Sequence, residues 1–126
     1  MKRSCRIIVE TPSLLIGWAR QRSYSVEVDD IANLFIRREG TDPGLRSILT
    51  GSHMDSQPRG GRFDGIYGVI AGLEVLEALD DIGVRTQRPI EVAAWTNEEG
   101  SRFDPGCMGS LIFAGLETVE AFADMK

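Results

Sequence analysis

Two apolar segments with an amphipathic stretch between them set the narrowest limits on how this chain can fold. Ser47-Ile48-Leu49-Thr50 is a short apolar run ending in Gly51, and residues 89–96 form a second run rich in strand formers, stopped by Gly100. Each predicts a buried strand. Between them Ile66, Val69, Ile70, Leu73, Leu76 and Leu79 recur at three and four, while Glu74, Glu77 and Asp80 fall elsewhere around the axis. That spacing predicts an amphipathic helix over 65–79. Gly65, Gly68 and Gly72 each lower its propensity by about 1 kcal/mol relative to alanine, so close packing of its backbone against a neighbour is expected to compensate. Strand, helix, strand in this order predicts a parallel crossover, in which functional groups gather at the carboxyl ends of the strands.

The remainder fits one α/β unit. Leu14, Leu15 and Trp18 stand at helical spacing and predict the end of a helix over 14–22. Ser25-Val26-Glu27-Val28-Asp29 alternates as a half-buried strand does, residues 33–37 read as another strand before the Glu39-Gly40 turn, and Thr41-Asp42-Pro43-Gly44 is a turn cluster. No internal repeat, low-complexity tract or long linker divides the sequence, so residues 1–126 are expected to form a single domain. With 42% apolar residues over 126 positions, the chain can bury roughly two-thirds of its unfolded surface.

Charge and composition exclude several classes of function. The formal net charge is −5 and the basic residues are scattered, so no stripe neutralises phosphates and nucleic acid is not an expected partner. Ile7-Ile8-Val9 follows N-terminal basic residues, but Glu10, Thr11 and Pro12 interrupt it before signal-peptide length. No segment approaches the ~20 apolar residues that span a bilayer. Cys5 and Cys107 belong to no CxxC pair and make no disulfide framework, which fits a reducing cytoplasm.

The polar residues of interest stand where the crossover places functional groups. His53, the only histidine, follows the first apolar run in Gly51-Ser52-His53-Met54-Asp55. A neutral imidazole binds zinc and similar metals, commonly with its second N–H given to a carboxylate, and Asp55 is placed to be that carboxylate. A lone histidine at a strand end is otherwise satisfied by a backbone carbonyl. Asp64 precedes the amphipathic helix in Gly60-Gly61-Arg62-Phe63-Asp64-Gly65, where a short carboxylate caps the helix, bridges two cations, or does both with different oxygens. Glu98 and Glu99 end the second run in Trp95-Thr96-Asn97-Glu98-Glu99-Gly100. On a solvated turn such a pair is surface charge, but two carboxylates crowded at one site are costly unless a cation or a proton lies between them. With a cation there, one glutamate ligates and its neighbour accepts a proton from an activated water.

In order, these segments resemble a specific family. Residues 51–69, Gly-Ser-His-Met-Asp-Ser-Gln-Pro-Arg-Gly-Gly-Arg-Phe-Asp-Gly-Ile-Tyr-Gly-Val, are followed by 88–103, Arg-Pro-Ile-Glu-Val-Ala-Ala-Trp-Thr-Asn-Glu-Glu-Gly-Ser-Arg-Phe, and by Met108-Gly109-Ser110. Together they closely resemble the hydantoinase/carbamoylase amidases, which include N-carbamoyl-L-amino-acid hydrolase, β-ureidopropionase and allantoate amidohydrolase. The resemblance runs from about Leu14 to Gly115, and Gln57-Pro58 with Trp95-Thr96-Asn97 is more similar to the carbamoylase and ureidopropionase members. It implies a three-layer α/β catalytic domain of the zinc-exopeptidase (phosphorylase/hydrolase-like) type holding two divalent metal ions, zinc first, with manganese, cobalt or nickel also suited to nitrogen and carboxylate ligands. Residue by residue, it makes His53 a ligand of one metal, Asp64 the bridging ligand, Glu99 a ligand of the other, Glu98 the general base and Asp55 the residue that orients His53. The implied reaction is hydrolysis of a ureido or amide C–N bond in a small N-carbamoyl amino acid or ureido substrate.

The resemblance also implies parts that these residues do not include. Family enzymes are much longer: they insert a lid domain that supplies substrate recognition and the homodimer contact, and two further metal-ligating histidines follow. The expectation is therefore an N-terminal part of the catalytic domain, without lid or dimerisation domain. Acting alone, it is expected to be either a segment completed by other polypeptide or a non-catalytic remnant with an incomplete metal site. Met1 to Ser13 departs from the longer helical region expected before Leu14, and Asp104 stands where the family commonly has a small apolar residue. An exposed sheet edge and apolar face are expected to cause poor solubility or self-association.

Overall fold

Among the described residues, four strands form one mixed sheet in the order β1-β2-β4-β3 in the computed structural model. The structure describes residues 3–123, with side chains described over 11–122; the side chains of Cys5 and of Ile7-Ile8-Val9 lie outside the described residues. The elements are α1 (Arg3–Gln21), β1 (Ser25–Val28), β2 (Leu34–Arg38), β3 (Ile48–His53), α2 (Ile66–Asp81), β4 (Ile90–Trp95), α3 (Met108–Phe113) and α4 (Val119–Ala123). The crossover predicted from the apolar runs is present: β3 and β4 pair in parallel, with Ile48 beside Ile90 and His53 beside Trp95, and α2 connects them. β2 pairs antiparallel to β4 and β1 antiparallel to β2. His53 and Trp95 therefore end neighbouring strands on the same side of the sheet.

Alternation along the strands decides what each face covers. Leu34 and Ile36 of β2 and Ile90, Val92 and Ala94 of β4 point to one face, where they meet Leu15 and Ala19 of α1 and Val69, Leu73 and Leu76 of α2 in one buried cluster. The opposite face carries Phe35 and Trp95, with ring centroids 5.9 Å apart, and Phe113 of α3 packs on both at 5.6 and 4.9 Å. Helices thus contact the sheet from both sides, as a three-layer α/β arrangement requires. The glycines of α2 do what their propensity cost demands. A Cβ on Gly68 would meet the Cβ of Ser52 at 2.7 Å and one on Gly72 would meet Val92 at 2.9 Å, so the helix backbone lies directly on β3 and β4.

Three expectations are corrected. β3 is not a buried strand: Ile48 is 53% exposed and Leu49 37%, because the strand order leaves β3 at an edge with β4 as its one neighbour among the described residues. The N-terminal helix does not turn Leu14, Leu15 and Trp18 to the core together. Leu15 and Ala19 face the sheet while Leu14 and Trp18 lie on the flank, and the helix already begins at Arg3, with Pro12 inside it. β1, an edge strand, is half-buried only at Val26; Val28 is exposed.

A polar clamp not foreseen from the sequence joins the turn after α1, β2 and the end of α2. The Arg38 guanidinium, its side chain 8% exposed, donates to Asp80 at 2.7 Å and to the Val84 carbonyl at 2.6 Å. The Tyr24 hydroxyl donates to the other Asp80 oxygen at 2.5 Å, and Arg22 pairs with Glu77 and Asp81. Burial opposes ionisation of Asp80, yet the Tyr24 and Arg38 hydrogen bonds outweigh it and hold the carboxyl below its ordinary range. Burial and the Asp80 hydrogen bond push the Tyr24 phenol up. No helix among the described residues is long and apolar enough to cross a membrane.

Candidate metal centre

Each element of the crossover delivers one side chain to a common point. His53 closes β3, Asp64 lies in the loop before α2, and Glu99 lies in the turn after β4. One ligand atom from each falls within 4.8 Å of the others. The His53 ring is oriented by its Nδ1, which lies 3.0 Å from the backbone carbonyl of Asp55. A carbonyl only accepts, so Nδ1 carries the proton and Nε2 keeps its lone pair. Nε2 faces the Asp64 carboxylate at 3.9 Å, too far for a hydrogen bond. An imidazole lone pair converging with two carboxylates fits a divalent cation, and a cation relieves the repulsion between Asp64 and Glu99.

Gly65 makes this approach possible. Its φ is 71°, a left-handed value that turns the chain back toward the strand ends just before α2. A Cβ there would overlap the His53 ring. The same turn removes Asp64 from the capping position expected of it. Gly65 is the N-cap, no side chain caps α2, and the Ile66 N–H is taken by the Asp64 backbone carbonyl at 2.8 Å. The Asp64 carboxylate is thereby left 64% exposed and turned toward His53.

Asp55 reaches further than the sequence indicates. Its carboxylate lies 3.5 Å from His53 Nδ1, farther than its own carbonyl. The two carboxylate oxygens accept instead from the backbone N–H groups of Glu98, at 3.2 Å, and Glu99, at 3.0 Å. Asp55 thus ties the end of β3 to the acidic turn after β4. Glu98 lies outside the three-residue group and is turned toward α3, where its carboxylate accepts from the Ser110 hydroxyl at 3.0 Å. The hydrogen bond and charge of Glu98 push the neighbouring Cys107 thiol up.

Four residues of this neighbourhood were not identified as functional from the sequence. Gln57 donates to the Glu99 carboxylate at 2.9 Å, and Ser110 to Glu98. Asn97, at φ 50°, donates to the Phe103 carbonyl at 2.6 Å and closes the loop between the acidic pair and α3. Asn33, fully buried, donates to the Asp29 carboxylate and the Gly109 carbonyl and accepts from Thr96 N–H. Gln57, Asn97 and Ser110 lie within the segments that carry the resemblance, which is the one signal that marked them; Asn33 read only as a strand residue. An open groove of about 460 Å³ between α1 and α2, lined by Trp18, Arg22, Ile70 and Glu74 among others, shares no residue with this site.

Comparison with known proteins bears on the family. Residues 49–125 match the model of peptidase family M20/M25/M40. The chain is 45% identical over 107 residues to N-carbamoyl-L-amino-acid amidohydrolase of Rhizobium meliloti, covering 85% of this chain and 26% of that protein. It is 45% identical over 108 residues to N-carbamoyl-L-amino acid amidohydrolase of Geobacillus stearothermophilus, covering 86% of this chain and 26% of that one. The crystal structure of a hydantoinase/carbamoylase family amidase from Burkholderia multivorans superimposes with a TM-score of 0.88 at 50% identity, over 91% of this chain and 28% of the other. The chain spans about a quarter of the length of the curated relatives it matches. With the family match over most of its length, the chain belongs to the M20/M25/M40 peptidase family, and its fold is similar at half identity to that of a hydantoinase/carbamoylase family amidase.

Proposed function

We propose that this chain contributes the amino-terminal half of a two-metal site that hydrolyses the C–N bond of N-carbamoyl amino acids or related linear ureido compounds. The observation that carries the reading is the convergence of His53, Asp64 and Glu99 with the His53 Nδ1 proton fixed on Asp55, which leaves Nε2 free to ligate. In this reading His53 and Glu99 would each hold a divalent cation, with the Asp64 carboxylate available to both. Divalent cations held there supply positive charge that polarises the scissile carbonyl and stabilises its developing oxyanion. Glu98 takes a proton from the attacking water as the water oxygen bonds to the carbonyl carbon. It then returns that proton to the leaving nitrogen as the C–N bond breaks. Asp55 fixes the His53 ring through its carbonyl and the Glu98-Glu99 backbone through its carboxylate, so base and ligand are placed by one residue. Relatives named N-carbamoyl-L-amino-acid amidohydrolase at 45% identity support the substrate class.

The test pairs cation binding with hydrolysis. Isothermal titration of the purified chain with zinc, manganese or nickel is expected to show binding that His53→Ala weakens by at least about tenfold. Hydrolysis of N-carbamoyl amino acids is expected to vanish in Glu98→Gln while cation binding persists. Turnover that survives Glu98→Gln would remove Glu98 from the base role, whereas cation binding without turnover in the native chain would favour the non-catalytic alternative for this polypeptide acting alone.

A further inference from the structure

We infer that Ser110 is a positioning residue for Glu98, its hydroxyl selecting the side-chain rotamer in which that carboxylate serves the site. The inference rests on the reading of Glu98 as general base. Three contacts, besides the Cys107 thiol, define where Glu98 stands. Its N–H is held by the Asp55 carboxylate at 3.2 Å, its carbonyl accepts from the Cys107 N–H at 2.8 Å, and its carboxylate accepts from Ser110 Oγ at 3.0 Å. The first two fix the backbone alone. A glutamate with a fixed backbone still has three side-chain torsions, each with its own set of wells. Two side chains restrict them: the Ser110 hydroxyl, which occupies one carboxylate oxygen and shares its one proton with the Cys107 carbonyl 3.1 Å away, and the Cys107 thiol, which also hydrogen-bonds to the carboxylate.

Ser110 is itself held rigidly enough to do this. It stands in α3, whose start is bound to the end of β4 by Met108 N–H on the Asn97 carbonyl at 3.3 Å and Gly109 N–H on the Thr96 carbonyl at 2.9 Å. Buried Asn33 bridges the same two segments, donating to the Gly109 carbonyl at 3.1 Å and accepting from Thr96 N–H at 2.9 Å. The fit leaves no space at Gly109, where a Cβ would overlap the Asn33 amide. At Gly106 a Cβ would overlap the Glu98 carbonyl. The distance from Ser110 to Glu98 is therefore set by a packed backbone frame. A hydroxyl donor suits the task, because it orients the carboxylate without adding a positive charge that would weaken it as a base.

The experiment reads the Glu98 χ1 rotamer, the torsion that sets the direction of the side chain, in isotopically labelled 126-residue chain, from three-bond nitrogen–carbon and carbonyl–carbon couplings to its Cγ. The native chain is expected to show one rotamer, Ser110→Ala an average over several, and Ser110→Thr, which keeps the hydroxyl, one rotamer again. Amide spectra of the variants check that α3 keeps its place. Averaging already present in the native chain, no change in Ser110→Ala, or averaging in Ser110→Thr with α3 in place would each overturn the inference. Where the native chain turns over substrate, Ser110→Ala is expected to lower kcat about tenfold with KM nearly unchanged, as misplacement of a reacting group does. Failure of the hydrolytic reading shows separately, as turnover surviving Glu98→Gln.

Discussion

Gly65 carries more of the site than any charged residue predicts. Its φ of 71° and ψ of −63° form a γ-turn of positive φ, which a residue with a Cβ adopts only under strain of about 1–3 kcal/mol. Here a Cβ would also enter the space of the His53 ring. Gly65→Ala is therefore expected to displace the imidazole as well as strain the turn. Titration should show cation affinity falling at least about tenfold, as when a ligand's orientation is lost, with a smaller effect on thermal stability. Unchanged affinity would show that the ring has another place to go. At this scale the sequence made the candidates legible, because His53, Asp55, Asp64, Glu98 and Glu99 all stand at strand or helix ends. It did not reveal which atom of Asp55 faces His53, or that its carboxylate binds the next strand's turn. The Asp55 carboxylate and the Glu98 and Glu99 N–H groups lie more than 40 positions apart and meet only in the folded chain.

At the scale of elements, the β3-α2-β4 unit was legible because its two periodicities are local: an apolar run for each strand and a three-four stripe for the helix. The clamp on α2 was not, since Tyr24, Arg38 and Asp80 come from the turn after α1, from β2 and from α2, and none has a periodic signature. Its energetics follow from burial. Arg38 is nearly enclosed, so removing the charge of its partner leaves a cation with incomplete compensation. Asp80→Asn is expected to destabilise the fold by about 1–3 kcal/mol, discounted because Asp80 is itself one-third exposed. The Asp80 carboxyl titrates lower in the folded chain than its ordinary value of 3.8. Its contribution is therefore fully present above that value and is lost as pH falls through the lower folded value. Urea unfolding at neutral pH and again below pH ~4 should show the difference between native chain and Asp80→Asn shrinking in acid. A difference that stays constant would mean the clamp is not electrostatic.

For the whole molecule, the strand order has a consequence in solution. β3 is an edge strand whose Ile48 and Leu49 are exposed, next to the exposed backbone of Thr50 and Gly51. Such an edge offers unpaired N–H and C=O groups beside apolar side chains and recruits further strands. Light scattering after size exclusion is expected to show mass rising with concentration, and Leu49→Lys is expected to shift the chain toward monomer. A native chain that stays monomeric at high concentration would contradict this.

What the sequence determined by itself was the α/β class, the crossover and the family, because each is written in contiguous stretches: runs, stripes, and the ordered motifs around His53, Asp64 and Glu98-Glu99. Tertiary structure decided which strand lies at the edge, which oxygen of Asp55 meets which partner, that Gly65 rather than Asp64 starts α2, and that Ser110 reaches Glu98. The physical reason is range. Periodicity records the environment of neighbouring residues along one element, whereas edge position, backbone reversal at a positive φ and side-chain pairing depend on groups brought together only when the sheet closes against its helices.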